Sequence, residues 1–134
     1  MPENGVVNVE DVENAIREDT ALVTIMFANN EIGTLQPIKE IGAVCKKHGV
    51  VFHTDAVQAA GHVKIDVNEL NMDMLSIFRS QIPWTKGCRC FICQKTVPLT
   101  NVIEGGAQER GKRAGTENLP GIVGMAVSFT GSLC

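Results

Sequence analysis

The sequence predicts an α/β fold with a mostly parallel sheet, on three observations. Residues 22–27 (Leu-Val-Thr-Ile-Met-Phe) and 50–54 (Val-Val-Phe-His-Thr) are runs of strand length rich in apolar residues, as expected for strands buried on both faces. Between them Ile38, Ile41, Val44 and Cys45 recur at helical spacing. Strand, helix and strand within about thirty residues form a parallel crossover, because parallel neighbours cannot be joined by a tight turn.

In chain order, Asn8 caps a short helix in which Val9, Val12 and Ile16 share a face. The strand at 22–27 runs into a polar loop, Ala28-Asn29-Asn30-Glu31-Ile32-Gly33. Pro37 suits the first turn of the next helix, where its missing N–H would have no partner anyway, and Gly49 stops that helix. The second strand ends at Asp55, residues 56–61 read as a short helical turn, and a third strand is expected at 72–77. Residues 78–96 follow neither period. A polar, glycine-rich loop spans 105–115 and carries Arg110, Lys112 and Arg113; Asn118 and Pro120 then open a helix of small residues through Gly124 and Met125. With no repeat and no linker, the 134 residues read as one domain.

Composition removes several classes of function. A hydrophobic fraction of 44% with 20% charged residues is that of a globular chain. A formal charge of −3 provides no footprint for nucleic acid or an anionic membrane surface. No apolar run approaches the ~20 residues a membrane helix needs. The start, Met1-Pro2-Glu3-Asn4-Gly5, has neither the basic nor the apolar part of a signal peptide. Five cysteines, an odd number, without such a signal argue against a disulfide framework, so a reducing cytoplasm is the expected location.

In open α/β sheets ligands sit beyond the carboxyl ends of the strands. Here those ends supply Asn29-Asn30-Glu31 and Asp55-Ala56-Val57-Gln58. A carboxylate at a buried strand end caps the following turn, or it partners a pyridinium nitrogen and keeps it protonated; spacing alone favours the cap. The pair Asn29 and Asn30 reads first as a turn, with Asn30 the better ligand contact. His53-Thr54-Asp55 has a His-x-carboxylate pattern but no evident third metal ligand. Cys88, Cys90 and Cys93 provide three thiolates where structural zinc takes four ligands, so no metal is expected. His53 receives no role, and Cys45 falls on a helix face as a core residue. The glycines around Arg110–Arg113 suit a phosphate contact as well as a solvated face.

Three segments carry a resemblance. Residues 23–33 resemble the strand-and-loop signature of the cysteine desulfurases, within the class V aminotransferases. His53-Thr54-Asp55-Ala56-Val57-Gln58 resembles their cofactor strand, and residues 109–118 resemble their downstream glycine-rich loop. The resemblance implies part of the three-layer α/β/α large domain of a fold-type I enzyme that uses pyridoxal 5'-phosphate. It implies that Asp55 pairs with the pyridinium nitrogen and that Gln58 and Asn30 bond the phenolic oxygen and its surroundings. Thr116 would reach the cofactor phosphate across a homodimer interface. The implied reaction removes sulfur from L-cysteine to give alanine and an enzyme persulfide, which serves a sulfur acceptor or iron–sulfur scaffold protein. Location would be cytoplasmic, or mitochondrial if the parent carries a transit peptide. Selenocysteine lyase, and a non-catalytic fragment arising from faulty gene prediction, are the alternatives.

The sequence departs from the family at its catalytic centre. The family's Schiff-base lysine lies in a Ser-Gly-His-Lys motif, expected by interval at 78–81, where this chain has Phe78-Arg79-Ser80-Gln81. Glutamine cannot bond covalently to the cofactor aldehyde, so no catalytic residue is assigned. Codons for residues 78–87 can be written so that dropping one nucleotide yields Ser-Gly-His-Lys-Phe-His-Gly-Pro-Lys-Gly. Continuing to Cys93 yields Val-Gly-Val-Leu-Tyr-Ala. A shifted frame over 78–96 accounts for the lone Trp84 and the cysteine cluster, assigns Lys86 to scrambled text, and predicts a disordered or poorly packed segment. Residues 128–134 read as a possible second off-frame stretch, and Cys134 comes too early to be the family's nucleophile. The chain is thus expected to be a single partial domain.

Overall fold

The computed structural model describes residues 4–78 and 88–130. They fall into two compact units: 4–78 with 89–94, and 88 with 95–130.

The first unit contains α1 (Val9–Ala15), β1 (Leu22–Met26), α2 (Ile38–His48), β2 (Val51–Asp55), β3 (Met74–Phe78) and β4 (Arg89–Cys93). The sheet order is β1-β2-β3-β4, with the first three strands parallel and β4 antiparallel to β3. The parallel pairing of β1 and β2 agrees with the crossover read from the sequence. Asn8 caps α1 as expected, its Oδ1 accepting the Glu10 N–H at 3.1 Å. Pro37 stands one residue outside α2, at its N-cap. Gly49 ends α2 in the left-handed region (φ 68°), donating its N–H to the Cys45 and Lys46 carbonyls, a geometry that favours glycine.

Alternation along β2 organises the core. Phe52 and Thr54 are fully buried, while Val51, His53 and Asp55 point to the other face. Against Phe52 pack Ile38, Ile41 and Cys45 of α2, with Met72 and Leu75 from the β3 side; Val9 and Val12 of α1 extend the same cluster. Burying a side chain such as Phe52 contributes about 1.5–3 kcal/mol. The one hydroxyl in this layer is satisfied, since Thr54 Oγ1 donates to the Ile25 carbonyl at 2.7 Å. Gln36, also buried, ties down the preceding segment by accepting the Val7 N–H at 2.8 Å and donating to the Gly5 carbonyl at 2.9 Å.

Two expectations are corrected. The first long strand was expected to be buried on both faces, but β1 alternates: Val23 and Ile25 face the core, whereas Leu22 and Met26 are 46% and 42% exposed. The helices of this unit cover one face of the sheet only. The second concerns the described residues of the stretch 78–96: Phe78 closes β3, and Arg89–Cys93 form an ordered strand that pairs with all of β3. Arg89 lies on the exposed face with its guanidinium 5.1 Å from the centre of the Phe78 ring. Beyond β4, Gln94 donates from its backbone to the Asp73 carbonyl and from Nε2 to the Met72 carbonyl. Gln81, Trp84 and Lys86, like the last four residues of the tail, lie outside the described residues.

In the second unit, α3 (Leu119–Thr130) begins where Asn118 Oδ1 accepts the Gly121 N–H at 3.2 Å, near the expected start. The glycine-rich loop holds Glu109, Arg110 and Gly111 in succession at positive φ (50°, 59° and 76°). Gln108 braces it by accepting the Gly115 N–H at 3.2 Å.

Two outcomes follow from this packing. A Cβ on Gly42 of α2 would come within 2.6 Å of the Leu70 carbonyl oxygen and 2.8 Å of that of Asn71. Gly42→Ala should therefore destabilise by about 1–3 kcal/mol in urea unfolding, although alanine favours a helix by ~1 kcal/mol. Glu13 accepts from Lys47 Nζ at 2.7 Å and His48 Nε2 at 2.9 Å, and these bonds hold its carboxyl below the ordinary range. A depressed folded-state pKa stabilises above the unfolded value and ceases to do so as pH falls through the folded one. Glu13→Gln should reduce stability at neutral pH and flatten its decline in acid, as followed by circular dichroism.

Candidate functional site

The carboxyl ends of β1, β2 and β3 lie side by side because their registers are parallel: Met26 pairs with Asp55, and Asp55 with Ser76. Backbone bonds continue just beyond, from Phe27 N–H to the Asp55 carbonyl at 2.8 Å and from Ala56 N–H to the Ser76 carbonyl at 2.9 Å. Asp55 is exposed at this end, facing away from the α2 layer. A cleft of about 450 Å³ adjoins it, lined by Asp55, Val57, Ser76, Ile77, Phe78, Arg89, Cys90 and Phe91.

Asp55 performs the cap role that spacing suggested, its Oδ1 accepting the Val57 N–H at 2.9 Å. Its second oxygen has no hydrogen-bond partner among the described residues and stays available to a donor at the cleft. The two asparagines divide their tasks. Asn29 builds the turn: its Oδ1 accepts from Glu31 N–H at 2.8 Å and Ile32 N–H at 3.1 Å, and its Nδ2 lies 3.7 Å from Met26 Sδ. Asn30 is exposed, and its side chain makes no hydrogen bond among the described residues. Gln58 is likewise exposed, in the turn that follows β2. Asn30, Asp55 and Gln58 thus follow the ends of two adjacent strands. Thr116 lies exposed in the second unit, in the stretch before α3. Gln81 is outside the described residues.

One set of residues went unread in the sequence. His53, given no role, bridges three strands: Nδ1 is 2.7 Å from Thr24 Oγ1 and Nε2 is 2.9 Å from Ser76 Oγ. Burial lowers the pKa of its imidazole, a shift opposed by the Asp55 carboxylate. Counting back by two from Asp55 places His53 on the cleft face, but the partners Thr24 and Ser76 depend on interstrand register. Ser76, Phe78, Arg89 and Phe91 were missed at the cleft for the same reason.

The described residues hold no cluster of three or more metal-ligating side chains. Cys45 is fully buried, and burial, with a further push from Asp73, moves its thiol up to about 11, so it stays protonated at neutral pH. No helix among the described residues is long and apolar enough to cross a membrane.

The parallel crossover thus offers a carboxylate, Asp55, at the end of its second strand. Residues 1–81 match the model of the class-V aminotransferases, and the chain belongs to that family. Within it the similarity is to cysteine desulfurases, whose family cofactor is pyridoxal 5'-phosphate. The chain is 56% identical over 121 residues to cysteine desulfurase IscS of Methanosarcina thermophila, covering 90% of this chain and 30% of that protein. It is 50% identical over 123 residues to the mitochondrial cysteine desulfurase of Candida albicans, covering 90% and 25%. Among solved structures, a NifS-like protein superposes with a TM-score of 0.90 at 40% identity over 97% of this chain and 36% of its own. SspA in complex with cysteine gives 0.90 at 41% identity over 95% and 37%. The chain therefore spans about a third of the length of the relatives it matches.

The division of labour between the asparagines has a measurable consequence. Asn29→Ala leaves two backbone N–H groups without their acceptor and should cost about 1–2 kcal/mol in urea unfolding. Asn30→Ala should stay within about 0.5 kcal/mol of the parent.

Proposed function

We infer that this chain is the cofactor-strand portion of a cysteine desulfurase. The parent reaction takes sulfur from L-cysteine, leaving alanine and a persulfide on the enzyme. The observation that carries the reading is Asp55, held at the end of β2 with one oxygen committed to the Val57 turn and the other available beside the cleft. An exposed carboxylate flanked by Ile77, Phe78 and Phe91 fits a planar ring bearing a protonated nitrogen. When bound, pyridoxal phosphate supplies a ring into which electrons from a broken substrate bond are drawn. Asp55 keeps the proton on the pyridine nitrogen, so the ring retains that capacity. Asn30 and Gln58, one from each adjoining strand end, donate to the phenolic oxygen and fix the ring's orientation. Thr116 contacts the phosphate of a cofactor held by the other subunit of a homodimer. The persulfide passes to a sulfur acceptor or iron–sulfur scaffold protein, in the cytoplasm or, for a parent carrying a transit peptide, in the mitochondrion.

Residues 78–96 are a frame-shifted rendering of the family's lysine segment. Two points support this: codons can be chosen so that the alternate reading supplies Ser-Gly-His-Lys where the interval demands it, and its Val-Gly-Val-Leu-Tyr run, at 88–92, overlaps β4. As written, with Gln81 at the lysine position, the chain is catalytically inactive. It binds the cofactor without a covalent bond.

Sodium borohydride reduction in the presence of pyridoxal phosphate, followed by intact-mass measurement, tests this. The chain as written should gain no stable adduct. A version carrying the alternate text at 78–93 should gain one, with no sulfide released from cysteine in either case. An adduct mapped to a lysine between positions 78 and 95 of the chain as written would sink the register. Sequencing the encoding DNA across residues 76–98 tests the frame directly.

A further inference from the structure

The outward face of the sheet carries one polar device that the proposed cofactor contacts do not use. His53 lies in the middle of that face, flanked by Thr24 of β1 and opposite Met74 of β3. Both ring nitrogens are engaged by hydroxyls, Thr24 Oγ1 on one side and Ser76 Oγ on the other. A neutral imidazole has one donor and one acceptor nitrogen, and each hydroxyl can take either complementary role. The ring therefore serves both neighbours in one protonation state. Its bond to Ser76 runs diagonally, two register positions toward the cleft, to the residue paired with Asp55. Phe91 of β4 stands with its ring centre 6.3 Å from that of His53. Among the described residues, the charged groups lining the adjoining cleft are Asp55 of β2 and Arg89 of β4.

We propose that His53 is a positioning residue: tied to Thr24 and Ser76, it holds the ends of β1, β2 and β3 at the spacing that presents Asp55 to the cleft. Two features argue for this over simple packing. The side chains that share the row of Asp55, Met26 and Ser76, leave its carboxylate without a bond across the strands among the described residues. The nearest cross-strand side-chain bonds on its face, among the described residues, are those of His53. The main-chain bonds just past Asp55, from Phe27 N–H and Ala56 N–H, join the same three strands as this bridge and so report on their spacing. The role of Asp55 toward a pyridinium rests on the function proposed above; the mechanical role of His53 does not.

Amide hydrogen exchange on the ligand-free chain separates the two. His53→Phe keeps a ring and its packing but removes both bonds. It should speed exchange at the Phe27 and Ala56 amides about fivefold, the equivalent of one hydrogen bond. The Val50 amide, bonded to the Cys45 carbonyl away from the cleft, should be unchanged. Thr24→Val and Ser76→Ala should each reproduce part of the effect and add nothing on top of His53→Phe. Uniform acceleration at all amides, or none at Phe27 and Ala56, would overturn the proposal. In a second arm, the ¹³Cγ signal of Asp55 is followed as pyridoxal phosphate is added. A response in the parent chain that is weakened in His53→Phe supports positioning, and an identical response in both overturns it. No response in the parent chain would sink the cofactor reading alone, with the exchange data still deciding on His53.

Discussion

The packing of α2 against one face of β2 is the constraint from which the rest of the first unit follows. Ile38, Ile41 and Cys45 can be covered only if Phe52 and Thr54 turn toward them. A strand's side chains alternate with a period of two, so this choice sends His53 and Asp55 to the opposite face. A slip of one residue would drive a carboxylate and an imidazole into an apolar layer and expose Phe52. Such a register is penalised by several kcal/mol of desolvation and lost burial. The location of the candidate site is in this sense a by-product of hydrophobic packing.

Asp55 illustrates how structural and chemical roles coexist in one side chain. A carboxylate has two oxygens and about four acceptor positions. Committing one oxygen to the Val57 N–H stiffens the turn without exhausting the group. The same economy is visible in the asparagine pair, where Asn29 saturates its amide within the loop and Asn30 is left exposed. Turn chemistry and ligand chemistry are separated by a single position.

The segment that departs from the family remains compatible with its sheet. The strand β4, Arg-Cys-Phe-Ile-Cys, has no period of two and is held by its pairing with β3. Arg89 sits over Phe78. Backbone hydrogen bonding is tolerant of side-chain identity, and an antiparallel partner for β3 is satisfied by many sequences. Similarity to cysteine desulfurases extends over nine-tenths of the chain.

Much of this architecture could be read directly from residue order. The two apolar runs with a helical period between them defined the parallel crossover. Asn8, Gly49 and Asn118 marked element ends, because capping is a local matter of one side chain or one φ angle. The strand ends offered Asn30 and Asp55, and the family resemblance added Gln58 and a cofactor role for all three. Which face of β1 is covered could not be read, since Leu22-Val23-Thr24-Ile25-Met26 is apolar on both sides. The strand at 89–93 was also illegible, as its stability comes from Leu75, Ser76 and Ile77 beside it and not from its own period. The bridge from Thr24 through His53 to Ser76 joins residues 29 and 23 positions apart. Residue identity and local spacing thus determined the elements, their caps and the candidate carboxylate. Interstrand register, a property of the packed sheet alone, decided which side chains surround it.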